Sequence, residues 1–165
     1  MDPSRLLALW RRLGGTGPGR WLFSRLLGWG VPYSGSIRAR VESLAPGACA
    51  LTLSERRAVR NHLGSVHAIA LINLAELASG LAMLSGLPAS ARGIVTHIEM
   101  DYLKKARGLL RATSEARAPE TVTESLDHVV EARITDASGE AVAIGRVHWR
   151  LGPRPGAISK PGGPA

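Results

Sequence analysis

The chain has 165 residues, 45% of them apolar, with 19 glycines, 10 prolines and a formal net charge of +8. That length holds one domain with short extensions and makes a second catalytic domain unexpected; the lone Cys49 excludes an intrachain disulfide and a zinc site built on a Cys pair. The positive charge is almost all arginine, the only lysines being Lys104, Lys105 and Lys160, so a phosphate-bearing partner fits the balance as well as a solvated surface does.

Residues 4–13 have the spacing of a short amphipathic helix, with Leu6, Leu9, Trp10 and Leu13 on one side and Arg5, Arg11 and Arg12 elsewhere. The Gly-rich stretch 14–19 breaks it, and a second apolar segment, 21–29, ends at Gly30 and Pro32. Arginines interrupt every apolar run here well short of the roughly 18 residues a spanning helix needs, so neither a signal peptide nor a transmembrane segment is expected. A basic arm bearing tryptophans either makes peripheral contact with a membrane surface or packs on the domain's own flank or over an active-site entrance.

From Ser36 the apolar period becomes two: Ile37, Ala39 and Val41 alternate with Arg38, Arg40 and Glu42, and Pro46-Gly47 turns the chain into residues 48–53, as in an antiparallel hairpin. After a polar connection at 54–57 comes Asn61-His62-Leu63-Gly64-Ser65-Val66-His67, which opens a nearly continuous apolar run to Leu84. That run predicts a helix buried on most sides, carrying the carboxylate of Glu76. Residues 93–103 alternate Ile94, Thr96, Ile98, Met100 and Tyr102 with Val95, His97, Glu99 and Asp101, predicting a strand with one buried face. The polar crossing Lys104-Lys105-Ala106-Arg107-Gly108 leads to further strands at 109–114, 126–135 and 140–151. Residues 152–165, rich in Pro and Gly, are a disordered tail by composition. One helix is the only element long enough to cover such a sheet, so the sheet must wrap it.

This wrapped arrangement, with Asn61-x-x-Gly64-x-x-His67 and Glu76, resembles the hotdog-fold acyl-CoA thioesterases of the phenylacetate pathway (PaaI-like), and most of all a branch with a Tyr-Leu-Lys-Lys-Ala-Arg-Gly segment after the third strand. The resemblance covers residues 32–151 and implies an α+β hotdog domain, an antiparallel sheet of five to six strands around one long helix, preceded by a helical arm at 1–31. It implies a cytoplasmic homodimer or dimer of dimers that hydrolyses acyl-CoA with no cofactor beyond the coenzyme A of its substrate. Carried over residue by residue, Asn61 sits beside the thioester, the N–H of Ala68 polarises its carbonyl, His67 supports the helix start, and Glu76 from the other subunit attacks or activates water. Lys104, Lys105 and Arg107 fall where the family meets the CoA nucleotide. Where the family often has Gly after the motif His, Ala68 stands here, and where better-studied members use Asp, Glu76 stands here.

A helix start does offer unsatisfied N–H donors where an oxyanion develops. Glu76 lies eight residues further on, too far along its own helix at a rise of ~1.5 Å per residue, and an antiparallel pair of helices in a dimer would bring the two together. Three alternatives stay open: Glu76 bonded to Asn73 one turn back, Asn61 as a turn-forming residue, and a solvated charged turn at 104–107. A non-catalytic acyl or lipid-binding module is the second functional reading. A hotdog dehydratase using His62 and Glu76 is a third, without the Pro-rich motif typical of those enzymes. His97 and His128 read as surface or interface residues with no metal site, and nucleic acid is not expected of a chain whose charge is scattered and whose aromatics are few. A Ser or Thr that assists on the third strand in some members has Val95 or Thr96 nearby.

Overall fold

The computed structural model describes residues 3–155. In chain order it contains α1 (Pro3–Leu13), α2 (Gly17–Gly30), a single helical turn α3 (Pro32–Gly35), β1 (Arg40–Ala45), β2 (Ala48–Ser54), a 3-10 turn (Arg57–Val59), α4 (Ala68–Gly86), β3 (Ala91–Tyr102), β4 (Leu109–Glu115), β5 (Leu126–Thr135) and β6 (Ala141–Pro153). The strands form one antiparallel sheet in the order β1-β2-β4-β5-β6-β3. Helix α4 lies in its curve and touches all six strands. One long helix wrapped by such a sheet is the hotdog architecture.

Helix α4 begins where His67 caps it, its Nδ1 accepting from the Ile69 N–H at 3.1 Å, and stops before Pro88, which cannot continue it. Leu71, Leu74, Ala75, Ala78, Leu81, Ala82 and Met83 are all buried beneath the sheet. At 19 residues α4 is long and apolar enough to cross a membrane, but 67% of that window is buried inside the molecule, which marks it as a core helix.

The hairpin β1–β2 closes with Ala45 opposite Ala48, leaving Pro46 and Gly47 as its tip. Gly47 has φ +78°, and a Cβ there would lie 2.8 Å from the Ala116 oxygen, so both conformation and space require glycine. The Ser85 hydroxyl accepts from the Gly47 N–H at 3.2 Å and donates to the Ala45 carbonyl at 2.8 Å, tying the hairpin to the end of α4.

Four features differ from the sequence expectation, three of them element boundaries. Helix α2 starts at Gly17, inside the expected break, because Thr16 caps it by accepting from the Gly19 N–H at 3.2 Å and Pro18 suits a first turn. The strand expected from Ser36 starts at Arg40: Pro32 opens a helical turn, Arg38 adopts φ 54°, and Ile37 reaches the core from a turn instead. Strand β6 runs through Gly152 and Pro153, which pair with Arg92 and Ala91, and the rest of the expected tail, from residue 156, lies outside the described residues.

The fourth difference is in β3. Its register against β6 slips between Val95 and His97, a bulge that leaves Thr96 as the extra residue. Because side chains alternate, the slip sends Ile94 outward, 67% exposed, while Ile98 and Met100 turn toward α4. Only Ala91 of β3 is fully buried, since β3 is an edge strand.

The arm joins the same apolar core. Leu6, Phe23 and Leu27 are buried in one cluster with α4 and β1, and the Trp10 and Phe23 rings meet edge to face with centroids 5.0 Å apart.

Candidate active site

The motif loop is folded by its own asparagine. The Asn61 Oδ1 accepts from the backbone N–H of Leu63 at 2.9 Å and of Ser65 at 3.2 Å, and its Nδ2 donates to the Ser65 hydroxyl at 3.1 Å. The Asn61 N–H donates to the Ser65 carbonyl at 2.9 Å, and Gly64 supplies φ +67° in open space. These bonds realise the turn-forming chemistry of Asn and leave His62, Leu63 and Gly64 exposed. The loop then delivers the chain to α4: the His67 N–H donates to the Val59 carbonyl at 2.8 Å. The next N–H, that of Ala68, has no acceptor among the described residues, and the Tyr102 hydroxyl reaches the Ala68 carbonyl at 3.3 Å.

Glu76 is the only charged residue of α4. At ~1.5 Å per residue it stands about 12 Å along the helix from Ala68, so one chain does not bring the two together. Its half-buried carboxylate has no hydrogen bond or ion pair among the described residues, and burial raises its pKa above the ordinary value. Asn73 does not satisfy it: the Asn73 Nδ2 donates to the Tyr33 carbonyl at 3.1 Å, and no bond joins it to Glu76 among the described residues. A Cβ on Gly80 would lie 3.9 Å from Glu76 Oε1 and 3.6 Å from Trp149 Cη2, which places the acid and the indole beside the same helical position. The Trp149 Nε1 and the Asn73 Oδ1 are buried without a hydrogen-bond partner among the described residues. Ile69, Ile72 and Glu76 share one helix face, with Ile69 50% exposed, on the side the sheet leaves uncovered.

The cationic crossing runs beside the motif loop, since the Val66 N–H donates to the Ala106 carbonyl at 2.9 Å and Ala106 is buried. Lys105 and Arg107 flank that anchor and are exposed. Lys104 turns away to Asp136, 2.7 Å off, and to Glu140. Glu55 ties down the far end, accepting from the Gly108 N–H and from Arg60, both at 2.6 Å; these bonds hold its carboxyl below the ordinary range.

Residues 19–151 match a family described as a domain of unknown function, DUF4442. The chain belongs to the DUF4442 family. This DUF4442 protein is 32% identical over 118 residues to a Halobacterium salinarum protein that bears a provisional esterase name, a match spanning 67% of this chain and 78% of that one. Among solved structures it resembles the structural-genomics protein APC5556, with 31% identity, a TM-score of 0.77 and coverage of 92% of this chain and 99% of the other. A Pseudomonas aeruginosa protein described as a probable thioesterase is 26% identical with a TM-score of 0.72, covering 79% and 93%. At 21% identity and a TM-score of 0.59, covering 70% and 90%, a hypothetical thioesterase of Streptococcus pneumoniae solved with coenzyme A shares the fold.

Within the DUF4442 chain, then, Asn61, His67, Ala68, Lys105 and Arg107 come together around one loop, while Glu76 stands apart on the same helix. Sequence reasoning missed Tyr102 and Trp149 as neighbours of these groups. Trp149 carries a local signal, since it sits on the inward parity of β6 between Val147 and Leu151. Its proximity to Glu76 carries none. Thr96, the bulge residue, spends its hydroxyl on the His148 carbonyl at 3.3 Å.

Proposed function

We propose that this DUF4442 protein is a cytoplasmic homodimeric hydrolase that cleaves acyl-CoA thioesters, within the branch marked by the Tyr102–Gly108 segment. The observation that carries the reading is Glu76: a half-buried carboxylate on an apolar helix, with no partner among the described residues, is costly to keep, which argues that it is retained for chemistry. The esterase and thioesterase names of the relatives support the same class, and a structure of the same fold was solved with coenzyme A.

In the shared site, the thioester carbonyl of one subunit's substrate lies against the Ala68 N–H and the Asn61 loop. Glu76 from the other subunit takes a proton from water as the water oxygen bonds to the carbonyl carbon. The tetrahedral intermediate collapses, the C–S bond breaks, and the proton passes to the leaving thiolate. Attack by the Glu76 carboxylate itself, followed by hydrolysis of the anhydride, uses the same geometry. Lys105 and Arg107 offer charge to the nucleotide phosphates; Lys104, held by two carboxylates, contributes less. A panel of short, long and aryl acyl-CoA esters assayed for free thiol tests the reading and identifies the chain class. Absence of thiol release from every ester removes the hydrolase.

The dimer is argued from the open edge of β3 and the uncovered Ile69–Ile72–Glu76 face. Light scattering is expected to return twice the 17.5 kDa chain mass. Ile69→Glu should lower that mass and abolish thiol release together, and a monomeric, active wild-type protein defeats the shared site.

A non-catalytic acyl or lipid binder is the second reading, favoured by a cleft of about 780 Å³ lined by Trp21, Arg25, Trp29, Arg38, Arg40 and Leu77. Trp21 and Trp29 are 58% and 73% exposed there, a basic aromatic surface suited to lipid headgroups. A retained acyl ligand without thiol release in the same panel selects this reading.

A further inference from the structure

On the outer face of the sheet, away from α4, two histidines and a glutamate converge. The bulge at Thr96 creates the arrangement: His97, instead of Thr96, stands opposite His148, and Glu99 stands opposite Arg146. The Nε2 of His148 lies 2.8 Å from Glu99 Oε1, and the Nε2 of His97 lies 3.7 Å from the same oxygen. The two imidazole rings meet edge to face with centroids 5.0 Å apart, and one ligand atom from each of the three residues lies within 4.8 Å of the others.

We propose that His97, Glu99 and His148 form a binding site for a divalent transition metal ion, with Zn²⁺ as the best fit. Ligand bonds of about 2.1 Å in tetrahedral geometry place ligand atoms about 3.4 Å from one another. The two distances to Glu99, 2.8 and 3.7 Å, bracket that value, and the histidine pair lies within 4.8 Å, so side-chain rotations on two hydrogen-bonded strands can close the set. Two imidazoles and one carboxylate are a borderline donor set that suits zinc better than magnesium or calcium.

The surroundings orient the set. Arg146 donates through Nε and Nη2 to Glu99 Oε2, both at 3.3 Å, which leaves Oε1 toward the histidines. The same guanidinium pairs with Asp101 at 3.0 Å, so two carboxylates outweigh one cation beside the ion. The His97, Glu99 and His148 side chains are 62%, 41% and 32% exposed, open enough for water to complete the coordination. The site is separated from Glu76 by the sheet itself. It joins the edge strand β3 to β6, and a bound ion would hold the edge on which a second copy is proposed to sit.

Calorimetric titration of the full chain with Zn²⁺ in chelator-free buffer should show one saturable site per chain and a rise in Tm of about 5 °C or more at saturation. The double variant His97→Ala/His148→Ala should lose at least about 100-fold in affinity along with the thermal shift, by analogy with the large costs of disturbing metal ligands. Glu76→Gln should bind Zn²⁺ as wild type does. His97 is exposed and His148 only half-buried on the outer face, so the double variant should fold, which its circular dichroism checks. Wild-type protein that gives no saturable binding, or a double variant that binds Zn²⁺ as tightly as wild type, overturns the proposal.

Discussion

Glu76→Gln is expected to reduce thiol release from acyl-CoA by ~10²–10⁴-fold in kcat, the usual range for a general acid or base, while making the folded chain more stable at neutral pH. The two effects share one cause. Burial raises the Glu76 pKa above its ordinary 4.5, so the folded protein binds this proton more tightly than the unfolded chain does. Below the ordinary value both states are protonated and no penalty exists; as pH rises through the raised pKa, the fold must hold a desolvated charge and loses stability. The gain in Tm from Gln is therefore greatest above the raised pKa and vanishes in acid. The wild-type pH–rate profile should climb through that pKa as the base ionises. Amide groups from a facing helix would pull the pKa down, so a shared site moves this limb closer to 4.5 than burial alone would set it. Unchanged turnover in the Gln variant would refute the catalytic role, and a fall in neutral-pH stability would show that the carboxylate has a partner.

Phe23→Ala is expected to destabilise the protein by about 3–5 kcal/mol, the usual cost of removing a buried phenyl ring. That is a large share of the roughly 5–15 kcal/mol that holds a domain together. Phe23 is 1% exposed, and it lies in the one cluster that includes α4, β1 and the far strands. Urea unfolding should show a lower midpoint with an unchanged slope. An arm that merely rested on the surface would give a loss well below 1 kcal/mol, and that result would detach it from the domain.

Local chemistry in the chain predicts several of these features. The apolar run after His67 is the core helix, Pro46-Gly47 is a hairpin tip, and Asn61 builds a turn from its own amide. Each follows from forces acting within a few residues: helical periodicity, the φ of glycine, a side chain bonding its own backbone. The strand at 93–103 shows where such reading stops. Its alternation implied one buried face, but the bulge at Thr96 reversed the parity midway, and only pairing with β6 reveals it.

The candidate site divides along the same line. The sequence by itself determined the presence of a capped, nearly all-apolar helix with one acid, and of a polar Asn–Gly–His loop at its start, because periodicity and capping are written in neighbouring residues. Tertiary structure alone decided that Ala106 brings Lys105 and Arg107 beside that loop, that Lys104 turns to Glu140 36 residues away, and that Glu99 meets His148 across 49 residues. Those meetings depend on strand order and register. Both are set by which faces bury the most apolar surface against α4, a property of the whole packed molecule and not of any short stretch of chain.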